Sequence, residues 1–308
     1  MSSASGKSIE DSDALVDQHR YMPAVRALEL ALRQASGPER RAVANYSLGE
    51  IHWHKLGNGV SARSCYQACI DDFEKHGYGQ SPDLRTVHAN SLEKAMLCAL
   101  SFDEFEDLAG RLRAISPRAP ILSGLLPEVR TGRERGESWT RRLFALAASN
   151  YNRTDPRRDA HHYGEAKSAY QLMLANRPSL RVTREDWRMA IYENSFLALQ
   201  LTNDCIAARG GDDDRNSPDE FLPILTETIP MVDEYLRFNP GDEDLVKVRA
   251  NMERIVINAR RRWGGGGVQR PAESQQYQPK PTKGCAPVLA MLVAAATVIG
   301  VVLGRLVR

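Results

Sequence analysis

Three short patterns in this sequence contain residue types that bind phosphate or metal ions in other proteins. The first reads SSASGKS and is close to GxxxxGK[ST], in which backbone amides and a lysine hold phosphate groups. The pattern needs glycine where Met1 stands, and no strand is predicted before it. We therefore expect no phosphate-binding loop at the N-terminus.

The second pattern is the acidic segment GGDDDRNSPDE at residues 210–220. Asp212, Asp214 and Asn216 have the spacing of the first ligands in a calcium-binding loop. Ser217 replaces the glycine that such a loop needs, and Pro223 stands where the bidentate glutamate belongs. We therefore interpret the segment as a solvated acidic loop.

The third pattern is made of histidine pairs. His52 and His54 flank a tryptophan, whereas His161 and His162 precede Glu165 at the spacing that places two ligands on one helix face. No HExxH motif or third ligand cluster accompanies either pair. The sequence therefore predicts no metal ion, no cofactor and no catalytic residue, so the chain is not expected to be an enzyme.

One enzyme class remains as a remote alternative. Some all-α enzymes of about this length, such as class I terpene synthases, hold magnesium with a DDxxD motif on a helix. Here the three aspartates at residues 212–214 lie between Gly211 and Pro218, which favour a loop. The partner motif of Asn, Ser and Glu is also missing.

The composition is that of a globular protein with an unusual tail. The chain has 308 residues, a formal net charge of +2 and five cysteines. So small a charge argues against a nucleic-acid partner, and an odd number of cysteines without CxxC argues for reduced thiols. Cys65, Cys69 and Cys98 fall at apolar positions of helical patterns and are predicted to be buried.

The tail contains a candidate membrane span. Residues 286–304 read APVLAMLVAAATVIGVVLG, which as a helix is about 28 Å long and matches the hydrocarbon thickness of a bilayer. Only four residues follow Gly304, so we expect post-translational insertion of the kind used by tail-anchored proteins. The large domain has no signal sequence and is expected to stay in the cytosol, anchored by one span.

We therefore divide the chain into four regions: a disordered N-terminus at 1–8, a helical domain at 9–263, a linker at 264–284 and an anchor at 285–308. The linker is rich in Gly, Pro and Gln, and as a flexible coil its ends would average about 25 Å apart. Within the anchor, Ala296, Gly300 and Gly304 share one helix face. Because small residues let two membrane helices approach closely, they predict a possible homodimer.

The helical domain is predicted to be all-α, because its apolar residues recur every three or four positions. A stripe of small, large and small residues returns three times. Its members are Ala24, Leu28 and Ala31, then Ala62, Tyr66 and Cys69, then Ala166, Tyr170 and Met173. Prolines 117, 178 and 240 each follow a helical pattern that they would terminate. The last pattern, in 243–263, places Leu245, Val248, Met252, Ile255 and Ala259 on one face.

These features resemble the tetratricopeptide repeat family, whose unit is a helix-turn-helix of about 34 residues. The best unit has Leu48-Gly49 in its first helix, Gly57-Asn58 at its turn, and one extra residue before that turn. The resemblance implies a degenerate solenoid of helical hairpins followed by the single C-terminal transmembrane helix.

The resemblance also implies a concave groove that binds a protein or peptide, lined by residues of the first helices. On the matching positions these are Val43, Tyr46, Glu50 and Trp53, and on a weaker unit Arg188, Tyr192 and Ser195. Chaperone-binding members have Lys and Asn where Tyr46 and Glu50 stand, so a groove of different chemistry is expected.

The sequence thus favours a tail-anchored adaptor that holds a cytosolic partner at a membrane. The layout is similar to that of the fission receptors of mitochondria and peroxisomes, so one of those two membranes is expected in a eukaryote. The alternative is a bacterial protein that organises an assembly at the inner membrane.

Overall fold

The computed structural model describes residues 4–18, 20–76, 81–152, 161–207 and 221–263, which contain α-helices and no strand. This confirms the all-α prediction. The helices are α1 Ala4–Asp17, α2 Tyr21–Gln34, α3 Pro38–Glu50, α4 Gly59–His76, α5 Pro82–Leu97, α6 Phe102–Ile115, α7 Pro120–Ser123, α8 Leu125–Glu134, α9 Trp139–Asn152, α10 His161–Ala175, α11 Arg177–Leu180, α12 Arg184–Ala207, α13 Leu222–Phe238 and α14 Glu243–Trp263. A π-helical segment, Ile51–Leu56, extends α3 toward α4.

Most helices that follow one another in sequence pack against each other, and the three predicted stripes, on α2, α4 and α10, lie at such contacts. All nine stripe residues are buried. The ring of Tyr66 on α4 lies against Gly49 on α3, where a β-carbon would overlap it. The small residue on one helix therefore makes room for the aromatic ring of the next.

The π-helical segment accounts for the extra residue before the predicted turn. The amide of Gly57 donates to the carbonyl of His52, five residues earlier, as a π-helix requires. Gly57 then takes a left-handed conformation with φ of 62° and ends the helix. The inserted residue is thus absorbed by a wider turn, and the junction between α3 and α4 keeps its glycine.

The predicted helix ends lie close to the observed ones. α6 ends at Ile115 before Pro117, and α13 ends at Phe238 before Pro240. Pro178 differs, because it lies in the first turn of the short helix α11, a position where proline is tolerated. The predicted apolar face of α14 points to the core. Its buried members are Leu245, Met252 and Ala259, and its partly buried members are Val248 and Ile255.

The N-terminal boundary is corrected by the structure. α1 begins at Ala4, within the residues 1–8 that the sequence had assigned to a disordered N-terminus. Ile9, Leu15 and Val16 pack against the hydrophobic core, and this contact supports the helix.

α10 crosses the π-helical segment and the start of α4 at backbone contact. A β-carbon on Gly164 would overlap the carbonyl of His54, and one on Gly59 would overlap the carbonyl of Ser168. The hydroxyl of Ser168 also donates a hydrogen bond to the carbonyl of Trp53 at 3.0 Å. We call this contact the α10 crossing, and it joins two regions that are more than a hundred residues apart.

The linker at 264–284, the anchor at 285–308 and the acidic loop at 210–220 lie outside the described residues. Among the helices that are described, none combines the length and the apolar character that crossing a membrane requires.

Candidate functional site

Five ionisable or hydroxyl side chains from four structural elements meet beside the α10 crossing. Glu50 and His54 come from α3 and its π-helical extension, Tyr66 from α4, Lys94 from α5 and Glu165 from α10. We call these five residues the polar cluster. Their assembly depends on the α10 crossing, because that crossing brings Glu165 to His54 on the π-helical segment.

His54 is the centre of the polar cluster. Its Nδ1 lies 2.9 Å from a carboxylate oxygen of Glu165, and its Nε2 lies 3.4 Å from a carboxylate oxygen of Glu50. The ammonium of Lys94 lies 2.8 Å from the same Nε2 and 3.8 Å from Glu50. The hydroxyl of Tyr66 donates a hydrogen bond of 2.7 Å to Glu50.

The electrostatics follow from burial and from these contacts. Burial alone would raise the pKa of Glu50, but the hydrogen bond from His54 and the charge of Lys94 hold it below its usual value. Burial alone would lower the pKa of His54, but Glu165 and Glu50 raise it above its usual value. Burial and the charge of Glu50 raise the pKa of Tyr66 well above its usual value.

The imidazole of His54 therefore has two hydrogen-bonding states. Above its pKa the unprotonated Nε2 accepts from Lys94 while the protonated Nδ1 lies next to the carboxylate of Glu165. Below its pKa both nitrogens carry protons, and Nε2–H faces Glu50. With His54 protonated, the two cations of the polar cluster match its two carboxylates, whereas with His54 neutral one negative charge is left in excess.

The polar cluster is open to solvent on one side. The side chain of Glu50 is 31% exposed and that of Lys94 is 23% exposed. Tyr46, one helical turn before Glu50, is half-buried, and its ring centroid lies 6.2 Å from that of Tyr66. Burial and the charge of Glu50 raise the pKa of Tyr46 to about 12, so its phenol stays protonated as a hydrogen-bond donor. A partner could thus reach a carboxylate, an ammonium and a phenol on one surface.

The groove residues predicted on α3 and its extension fall into two groups. Val43, Tyr46 and Glu50 are partly exposed, whereas Trp53 has no exposed surface. The wider π-turn displaces Trp53 from the face that Tyr46 and Glu50 share, and His54 takes that place beside Glu50. The side chain of Trp53 therefore cannot line an open groove in this conformation.

The groove residues predicted on α12 are divided in the same way. Arg188 is exposed and pairs with Asp242 at 2.6 Å, and Tyr192 is partly exposed. Ser195 is fully buried and donates to the carbonyl of Ile191 at 2.7 Å, so it too is closed to a partner. α10 packs against both α12 and the π-helical segment, and therefore lies between the two predicted groups.

A second polar arrangement lies inside the α10 crossing. The fully buried ammonium of Lys167 donates to the carbonyl of Gly57 at 3.1 Å, and burial lowers its pKa to about 8, against a smaller opposing effect of Glu227. The amide of Asn58 donates to Glu227 at 3.0 Å, and burial raises the pKa of that carboxyl. These contacts fix α10 and α13 to the turn at Gly57.

The cysteines and histidines have more limited roles. Cys69 and Cys98 are buried as predicted, whereas Cys65 is only partly buried. Burial raises the pKa of the Cys65 and Cys69 thiols to about 11 and about 12, which disfavours a reactive thiolate. Within the described residues, no group of three or more His, Cys, Asp and Glu is arranged to hold a metal ion.

We expect stability to fall as the pH drops from 6.5 toward 4. Burial lowers the pKa of His52 to about 4, and its Nδ1 is buried without a hydrogen-bond partner among the described residues. Because an unfolded histidine titrates near 6.5, the full contribution, about 3 kcal/mol, is present above pH 6.5 and is lost as the pH falls toward 4. Urea titrations across this range should show the loss.

The test variant is His52→Asn, which should flatten most of this slope. A smaller slope from His88 should remain, because burial lowers its pKa as well. Equal slopes in the wild type and in His52→Asn would contradict the assignment. The raised pKa of His54 acts in the opposite sense, since its contribution is present at low pH and is lost as the pH rises through that pKa.

The sequence matches no protein-family model and no curated protein.

Proposed function

We propose that this chain is an adaptor, in which a domain of helical hairpins similar to tetratricopeptide repeats binds a protein partner and a C-terminal span holds it at a membrane. The observation that carries the binding half is the half-open surface formed by Tyr46 and the polar cluster. This surface combines hydrogen-bond donors and acceptors with an aromatic ring, which are the groups that protein interfaces use.

The likeness to the repeat family is supported by how the matched positions pack. Leu48 is buried, Gly49 makes room for the ring of Tyr66, and Ala62 and Cys69 have no exposed surface. A solenoid of such hairpins presents its first helices on a concave face, and Val43, Tyr46 and Glu50 would contribute to that face.

Binding is favoured over catalysis by the state of the polar cluster. Each of its ionisable groups already contacts another member, and Glu50 and Lys94 hold opposite charges close together. A general acid or base must instead reach a reacting atom with a proton to give or accept. In the polar cluster the nitrogens of His54 and Lys94 are instead directed at other members of the cluster.

The membrane half of the proposal is supported by residues 286–304, which are apolar and uncharged over the length of a bilayer. The face of Ala296, Gly300 and Gly304 would allow two anchors to pair. A partner bound near Tyr46 would then be held at the membrane by the tether at 264–284.

We expect a photo-crosslinking amino acid placed at Tyr46 to capture a discrete partner in living cells. The same group at Leu30, which is 42% exposed on α2, serves as the matched control and should not give that adduct. Lys94→Met should reduce the adduct at position 46, because the partner loses a charged hydrogen-bond donor worth about 1.5–3 kcal/mol. The measurement is the band pattern on a denaturing gel, with the melting temperature of each variant recorded to exclude misfolding.

Identical bands from positions 46 and 30, or an adduct that Lys94→Met leaves unchanged, would argue that this surface is not the binding site.

A further inference from the structure

Both sides of α14, the last described helix, carry aliphatic residues, but only the inner side is packed against other helices. On the inner face of α14, Leu245, Met252, Val256 and Ala259 are buried against the preceding helices. On the outer face, Val246 is 44% exposed and Ile257 is 40% exposed. The two aliphatic side chains are three turns apart, so they lie on one line along the helix.

Cations flank this aliphatic line in the second half of the helix. Arg254, Arg260 and Arg261 are all exposed, and no acidic residue occurs between positions 254 and 261. Arg254 donates to the amide oxygen of Asn251 at 2.8 Å, and none of the three arginines forms an ion pair with a described residue. We call these three arginines together with Val246 and Ile257 the outer face of α14.

The acidic residues of α14 do not neutralise the three arginines. Glu253 contacts Arg249 at 2.5 Å, and Glu243 lies 3.7 Å from Lys247, one turn away in each case. The C-terminal half of the outer face therefore carries three uncompensated positive charges beside exposed aliphatic carbon. This combination is typical of helices that lie at a membrane surface, where cations meet headgroup phosphates and apolar side chains enter the boundary below.

We propose that the outer face of α14 docks onto an anionic lipid bilayer. The inference rests on the proposed function, because a span at 286–304 would hold α14 near the bilayer through the 21-residue tether at 264–284. The tether, the charge and the aliphatic line all favour a lipid surface over an acidic protein. Each arginine near an anionic surface contributes about a fivefold preference, so three of them suffice to hold a tethered domain against it.

The test uses the full chain inserted into vesicles of phosphatidylcholine, with or without phosphatidylserine. A fluorescent amino acid at Ala250, which is exposed between Val246 and Arg254, reports energy transfer to rhodamine-labelled lipid. We expect transfer at least about twofold higher on vesicles that contain phosphatidylserine, and a return to the lower value at high salt.

The triple variant R254E/R260E/R261E should abolish this increase. The matched control R113E/R118E/R135E changes three exposed arginines that also lack ion pairs with described residues, and it should leave the increase intact. Transfer that is insensitive to lipid charge, or equally reduced by both triple variants, would overturn the proposal. An outer-face variant that leaves energy transfer unchanged but abolishes the Tyr46 adduct would also overturn it, since that face would then contact the partner protein.

Insertion is scored separately by flotation in alkaline buffer. A chain that does not insert would contradict the tethered adaptor. Whether the outer face of α14 binds lipid is then tested by sedimentation of the same chain with phosphatidylserine vesicles. Binding that R254E/R260E/R261E abolishes supports the outer face as a lipid surface. No binding overturns it.

Discussion

Gly164→Val is expected to lower the free energy of unfolding by about 3 kcal/mol or more. Gly164 lies on α10 where it passes the carbonyl of His54, and any β-carbon there would overlap that oxygen. The obstacle is a backbone atom inside the π-helical segment, so it cannot rotate away as a flexible side chain would. Urea unfolding of the full chain in detergent, followed by circular dichroism, measures the loss.

Gly110→Ala is the matched control for this variant. Gly110 is an exposed residue in α6, and a β-carbon there would meet nothing within 4 Å. Alanine should therefore raise stability by about 0.5–1 kcal/mol, because glycine is the poorer helix former. If Gly164→Val were as well tolerated as Gly110→Ala, α10 would not cross the π-helical segment at backbone contact.

The second large effect concerns the anchor. Deleting residues 285–308 is expected to move the protein from the membrane fraction to the soluble fraction almost completely, because 286–304 is the apolar run on which spanning depends. The helical domain should keep its melting temperature, since its buried residues pack within the described helices. Fractionation after a salt wash, combined with thermal unfolding, measures both outcomes.

A matched pair of double substitutions separates the loss of the span from the loss of chain length. Val293→Arg with Val298→Arg places two charges within the apolar run, at a cost of about 2.5–3.5 kcal/mol each near the bilayer centre, and should also release the protein. Gln275→Arg with Gln278→Arg places the same charges in the linker and should not. Continued membrane association of the deleted chain would contradict a single anchor.

The features that the sequence predicts well are those with a local cause. The stripe of Ala62, Tyr66 and Cys69 repeats at the helical period, so its burial could be predicted without knowing which helices meet. The glycine at position 57 likewise marks the observed left-handed helix end. In both cases the physical determinant lies within a few residues of its effect.

The polar cluster has no such local cause. Glu165 and His54 are distant in sequence, and only the α10 crossing brings them to 2.9 Å. An α-helical register predicts Trp53 in the groove, but the π-helical segment changes that register by one residue. Ser195 lies in the middle of α12, which packs against α10, α13 and α14, and its side chain is fully buried there. The hydrophobic periodicity of a sequence reveals neither a local change of helical register nor which distant helices pack together.

The α10 crossing also constrains the order in which the chain can fold. In a linear repeat array each unit contacts only its neighbours, so the first hairpins can complete their cores while later ones are still being synthesised. Here the turn at Gly57 receives its contact from Lys167, 110 residues later. Until α10 has left the ribosome, the π-helical segment lacks the contacts that α10 makes with it. The first half should therefore remain a target for chaperones during translation and should complete its fold together with α10, in one cooperative step of high contact order.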